Sequence, residues 1–151
     1  MVADAQTGAI GGINWLAIGG GLSLVAAALH LACIVGGPNW YRFFGAGEGM
    51  ARMTEQGDWR PVAITLCVAA ALAVAGAYAF SGAGLIPRLP LLRIALVVIS
   101  SVYLLRGLVL FMPSALQRPD LTMTFLVWSS AIVLVIGLVH AIGTWRAWNT
   151  L

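Results

Sequence analysis

Apolar runs over residues 13–35, 62–80, 91–112 and 122–144 take up most of this chain. In an α-helix, about 20 apolar residues cover the roughly 30 Å of hydrocarbon in a bilayer. A soluble domain would have to bury all of these runs. It would also need about a quarter of its residues charged, whereas this chain of 151 residues is 61% hydrophobic and 9% charged. Lipid is therefore the expected solvent. Because lipid offers no partner to a free backbone group, continuous helices are the expected structure of each run.

The breaks between the runs agree with this reading. Gly36, Gly37 and Pro38 end the first run, Pro61 opens the second, and Pro113 stops the third. Prolines suit first turns and helix exits. Trp15, Trp40, Tyr41, Trp59, Tyr78, Trp145 and Trp148 cluster at run ends, where amphipathic rings prefer the membrane boundary. The start of the chain lacks a positive n-region, and its first apolar run is too long for a signal-peptide core, so it reads as an uncleaved first span. The expected architecture is an all-α integral membrane protein, a single domain over residues 1–151. Four transmembrane helices form an up-down-up-down bundle, since the short links over residues 81–90 and 113–120 force antiparallel neighbours. The inner (plasma) membrane of a bacterial cell is the expected location.

The first connection, residues 36–60, is longer and holds six of the thirteen charged residues. Within it, residues 46–56 suit a short amphipathic helix. Glu48 and Arg52 are spaced i,i+4 with the acid first, the favourable order, and Met50 and Met53 share a face. Orientation is less well determined. Arg88, Arg93 and Arg146 fall on the side of the termini, and Arg42, Arg52, Arg60 and Arg118 on the other. Arginine count does not separate the two sides. The two arginines of the short second link, tight against the membrane, favour cytoplasmic termini.

The net charge of +3 comes from eight arginines and five acids. The arginines are scattered singly at run ends, so nucleic acid is not an expected partner. Membrane lipids are, through anionic head groups at the boundary. Cys33 and Cys67 lie in apolar surroundings without a CxxC spacing, and read as small buried hydrophobes.

His30, Arg106 and His140 are ionisable groups inside apolar runs, which makes them site candidates by default. Gly19, Ser23, Ala26, His30 and Cys33 recur at helical spacing and form a small, polar stripe expected to face other helices. Ser100, Tyr103, Arg106 and Gly107 do the same in the third run, as do Ser130, Gly137, His140 and Thr144 in the fourth. Counted from the run ends, His30 and Arg106 both lie on the order of 8 Å inside the long-loop side. The expected site is an anion or head-group pocket there, with Arg106, His30 and Tyr103 under the loop residues Tyr41, Arg42 and Glu48. Glu48 would pair with Arg106 or orient the ligand. By the same count His140 is an isolated feature about 15–20 Å from His30, too far for both to ligate one haem or metal. No cofactor is implied. A nucleophilic role for Cys33 with His30 is disfavoured by the apolar surroundings, which hold a thiol protonated. Two functional classes follow: a small binding or transporter-like bundle, and an accessory subunit packing against itself or a larger membrane complex.

Overall fold

The computed structural model describes residues 13–111 and 123–151. All regular structure among the described residues is helical: α1 (Trp15–Gly36), α2 (Pro38–Phe43), α3 (Glu48–Glu55), α4 (Arg60–Gly82), α5 (Leu92–Leu108) and α6 (Met123–Ala147). A 3-10 turn over Val109–Phe111 extends α5. Helices α1, α4 and α6 are long and apolar enough to cross a membrane, which suggests a membrane protein. As a regular helix α5 has 17 residues, shorter than the expected third run. The Pro113 stop, the link over residues 113–120 with Arg118, and the start of the fourth run at Thr122 lie outside the described residues.

Glycine decides where the helices meet. A Cβ on Gly107 would lie 2.7 Å from the Cα of Leu134, and one on Gly137 would lie 2.9 Å from the backbone N of Leu104. These two contacts bring α5 and α6 together backbone to backbone. In the same way Gly143 of α6 meets Leu16 of α1, where a Cβ would lie 2.9 Å from the Leu16 backbone N. Gly20 and Gly76 face each other where α1 crosses α4, each Cβ position 3.1–3.2 Å from the other's carbonyl oxygen. Small residues at such crossings replace the hydrophobic drive that lipid removes. Of the glycine run in α1, Gly19 and Gly20 are buried, whereas a Cβ on Gly21 would meet nothing within 4 Å.

The apolar core is modest and lies in three patches. Leu16, Leu92, Leu96 and Leu151 pack at one end, Ala75, Tyr103 and Ile136 in the middle, and Cys33, Tyr41 and Ala51 under the long loop. Outside, large side chains such as Val25, Ile64, Val98, Leu105, Ile132 and Val135 are exposed. A monomeric soluble protein seldom leaves so continuous an apolar surface open.

The long loop holds two short helices. The expected amphipathic helix is α3, with Arg52 Nε 3.2 Å from Glu48 Oε1. Helix α2 was not anticipated. Gly37, at φ 67° and ψ −153°, ends α1 and starts α2, in a region open essentially to glycine alone. Pro38 then supplies a first residue already shaped for a helix. Tyr41, 1% exposed, pins α2 to α4 through a 3.1 Å hydrogen bond between its hydroxyl and that of Thr65. At the other end, Ser81 organises the short link: its hydroxyl donates to the Pro87 carbonyl at 3.0 Å and accepts from the Leu89 amide at 2.9 Å.

The glycine contacts predict a contrast between two alanine substitutions. Gly107→Ala drives a methyl into the Leu134 backbone and should cost about 1–3 kcal/mol, as overpacking does. Gly21→Ala should be neutral, or stabilising by up to about 1 kcal/mol from helix propensity. Thermal unfolding in mild detergent measures both, and equal effects would mean that the helices do not meet at Gly107.

Candidate functional site

The most buried polar groups meet between α1, α5 and α6. The Ser23 hydroxyl lies 2.9 Å from the Tyr103 hydroxyl and 3.5 Å from His140 Nε2. The His140 and Tyr103 rings are 5.1 Å apart between centroids. On its other side, His140 Nδ1 lies 2.9 Å from the Ile136 carbonyl. A carbonyl only accepts, which assigns the proton of a neutral imidazole to Nδ1 and leaves Nε2 an acceptor. Ser23 then donates to His140 across the longer distance and accepts from Tyr103. The hydrogen bonds run in one direction, Tyr103 donating to Ser23, Ser23 to His140 and His140 to the Ile136 carbonyl. Ser23 and His140 are 0% exposed. Gly19 makes room for the imidazole, since a Cβ there would lie 2.8 Å from His140 Cε1. Neighbouring hydroxyls close on their own helices, Ser100 to Leu96 and Thr144 to His140.

A serine beside a histidine is also the beginning of a nucleophile and its base. Here the geometry works against that use. Ser23 sits inside α1, so the surrounding backbone amides are committed to the helix and cannot form an oxyanion hole. Neither Ser23 nor His140 has exposed surface for a substrate to reach. The network satisfies buried polar groups and fixes how three helices sit against one another.

The groups expected to share one pocket under the long loop do not gather there. The Tyr103 hydroxyl turns to Ser23, which precedes His30 by seven residues of α1, about 10 Å along the helix. His30 is half-buried, with its Nδ1 2.8 Å from the Ala26 carbonyl. Arg106 is exposed and donates to the Ser130 hydroxyl at 3.4 Å. Glu48 is occupied elsewhere: it takes two hydrogen bonds from Arg42, at 2.9 and 3.0 Å, and one from Arg52. Arg42 also reaches Glu55 at 2.8 Å. Tyr41 and Cys33 belong to the packed contact between the loop and α1. His140, expected to be isolated, is the centre of the polar network. Its ring lies level with Gly19 and Ser23 of α1, about 10–16 Å along the helix from His30, and Tyr103, expected beside His30, joins it there instead. Among the described residues no group of three His, Cys, Asp or Glu side chains comes together.

The two ends of the molecule differ in charge. At the loop end Arg42, Arg52 and Arg60 each meet a carboxylate, Glu48, Glu55 or Asp58. At the other end Arg88 donates to the Thr150 carbonyl and Arg93 to a main-chain oxygen of Leu151, the last residue of the sequence. Arg93 also lies over the Trp148 ring at 5.5 Å, and Arg146 over the Trp15 ring at 6.0 Å. Among the described residues none of these three forms an ion pair with a carboxylate side chain.

Two outcomes test this geometry. Ser23→Ala leaves the Tyr103 hydroxyl and His140 Nε2 without their shared partner and should cost about 0.5–2 kcal/mol, the scale of interhelical hydrogen bonds in membrane proteins. Unfolding of Ser23→Ala, Tyr103→Phe and the double variant gives the coupling, and purely additive effects would break the network into separate contacts. In the loop, the hydrogen bonds from Arg42 and then Arg52 hold the Glu48 carboxyl down at about 2, against an ordinary 4.5. A depressed acid stabilises the fold fully above its ordinary value, and the contribution is lost as pH falls towards 2. The Glu48 carboxyl should therefore titrate near 2 by NMR, and a midpoint near 4.5 would mean the contacts with Arg42 and Arg52 are not kept in solution.

No family model matches the chain, and neither a curated protein nor a solved structure matches it.

Proposed function

We propose that the chain is a small polytopic membrane protein that binds at the membrane surface rather than catalysing a reaction. In this reading all four long helices cross the bilayer as an up-down bundle. Helix α5 with its 3-10 turn reaches about 31 Å by the rise of the two helix types, enough for the hydrocarbon. Contact pairs support the alternation of direction. Positions 107 and 104 of α5 meet 134 and 137 of α6, and positions 16 and 20 of α1 meet 82 and 76 of α4, so the paired positions step in opposite senses.

The observation that carries the binding reading is the charge difference between the ends. Arginines already held by carboxylates have little to offer an anion. Among the described residues Arg88 and Arg146 meet no carboxylate side chain: Arg88 donates to the Thr150 carbonyl, and Arg146 lies over the Trp15 ring. The anionic surface they suit is the cytoplasmic leaflet, whose lipids attract arginines by about 1 kcal/mol each. In this reading both termini lie in the cytoplasm, and the anion-binding surface lies away from the long loop. Impermeant thiol labelling of intact cells tests it, in chains carrying Cys33→Ala and Cys67→Ala. Glu55→Cys should label without permeabilisation and Thr150→Cys only after it. The opposite pattern would overturn the orientation and the leaflet assignment with it.

One observation favours a second reading, an accessory subunit or self-associating bundle. Gly21 is open on the outer side of α1, where another helix would find a small residue to approach. Native mass spectrometry in mild detergent separates the readings: bound anionic lipid supports the first. A second copy or partner protein that is lost in Gly21→Leu supports the second.

A further inference from the structure

We propose that α2 anchors the long loop in the head-group layer of its own leaflet, through the rings of Trp40 and Phe43 with Trp59 beside them, and independently of lipid charge. This rests on the membrane reading above and concerns the end of the molecule opposite to Arg88 and Arg146.

The depth of α2 follows from its attachments. Gly37 turns the chain directly from α1 into α2. The Trp40 ring folds back over the last residue of α1, filling the space in which Gly36 would carry a Cβ. The Tyr41 hydroxyl reaches Thr65, in the second turn of α4. Trp59 comes immediately before Arg60, where α4 begins. All of these contacts fall at the ends of two spans, so α2 lies where hydrocarbon gives way to head groups.

The two sides of α2 are unlike. Tyr41 is buried and faces the bundle, whereas Trp40 and Phe43, spaced i,i+3, are 43% and 80% exposed. Phe44 links them, its ring centroid 5.7 Å from that of Trp40 and 5.1 Å from that of Phe43. Trp59 is 72% exposed, and Val35, in the last turn of α1, 91%. In water, large side chains gathered in this way make an unusual apolar patch. At the head-group boundary Trp is favoured, and a helix lying in that plane turns its apolar side to the acyl chains.

Charge decides what the surface suits. Over residues 37–60 the three arginines are matched by three acids, and they meet one another: Arg42 with Glu48 and Glu55, Arg52 with Glu48, and Arg60 with Asp58. A surface neutralised in this way steers neither an anionic leaflet nor a charged protein face towards itself. What remains is partition of the rings into the interface, which asks nothing of head-group charge. The two ends of the bundle then hold their leaflets by different means.

Depth is measured on the full chain carrying Cys33→Ala and Cys67→Ala in phosphatidylcholine vesicles, with one nitroxide label in turn at Asn39→Cys, Gln56→Cys or Val135→Cys. Asn39 is exposed one turn from Phe43 on the same side of α2, and its replacement leaves every ring in place. Collisions with oxygen and with a water-soluble nickel chelate report how deep each label lies. The label at 39 should be protected from nickel relative to that at 56, though less than that at 135, and added phosphatidylglycerol should not change it. Phe43→Ser with Trp59→Ser removes two exposed rings and should bring nickel collisions at 39 up to the level at 56, and Phe43→Ser alone should give part of that rise. If 39 meets nickel as freely as 56 while 135 is protected, α2 stands in water and the proposal fails although the membrane reading stands. Protection that survives the loss of both rings, or that appears only with phosphatidylglycerol, overturns it as well. If 135 also meets nickel freely, both readings fail.

Discussion

Backbone approach at glycine is the constraint from which the rest of this molecule follows. In the membrane reading proposed above, helices that face lipid gain nothing from hiding apolar surface from one another, so they gain from close contact. Gly107 and Gly137 bring α5 against α6, Gly143 brings α6 against α1, and Gly20 with Gly76 brings α1 against α4. Only at such separations can a serine hydroxyl on one helix reach a tyrosine on a second and a histidine on a third. The Ser23, Tyr103 and His140 network is a product of that closeness, and in turn it fixes the rotation of each helix. Neither element works alone, because a wider crossing would strand three buried polar groups.

Charge is distributed by a different logic. At the loop end, acids and arginines sit six or four residues apart in and around two short helices, so local geometry closes them on one another, as Arg42 and Arg52 do on Glu48. At the opposite end the link is short and carries no acid. The arginines at that end turn to main-chain oxygens and tryptophan rings: Arg88 to Thr150, Arg93 to Leu151 and Trp148, and Arg146 to Trp15. The contrast is one of available charge rather than of arginine number, and a count along the chain does not reveal it.

Much of the helix plan could be read from the chain, because hydrophobic length and proline placement act locally. The runs at 13–35, 62–80 and 122–144 correspond to α1, α4 and α6, and of the stripe Gly19, Ser23, Ala26, His30 and Cys33, Gly19, Ser23 and Cys33 are buried while Ala26 and His30 are half-buried. The site was less legible, for reasons of angle and of competition. Arg106 is next to the buried Gly107, yet one residue turns a helix by about 100°, enough to carry the side chain outward. Glu48 looked free to serve Arg106, but Arg42 was nearer once α2 had formed. The signal for α2 was present in the Gly37 and Pro38 pair, read only as a break. His140 was read as isolated because Tyr103 was grouped with His30 and Arg106, whereas its hydroxyl reaches Ser23 and its ring lies against the imidazole.

The seat of His140 has a consequence for how this chain can vary. Its imidazole occupies the space in which Gly19 would carry a side chain, so the two positions share one volume between two helices distant in sequence. A residue of any size at 19 demands a smaller one at 140, and the loss of the imidazole would in turn free 19 to grow. Natural variants should therefore change these positions together, large facing small in either order, and the helix crossing would be inherited even where the histidine is not.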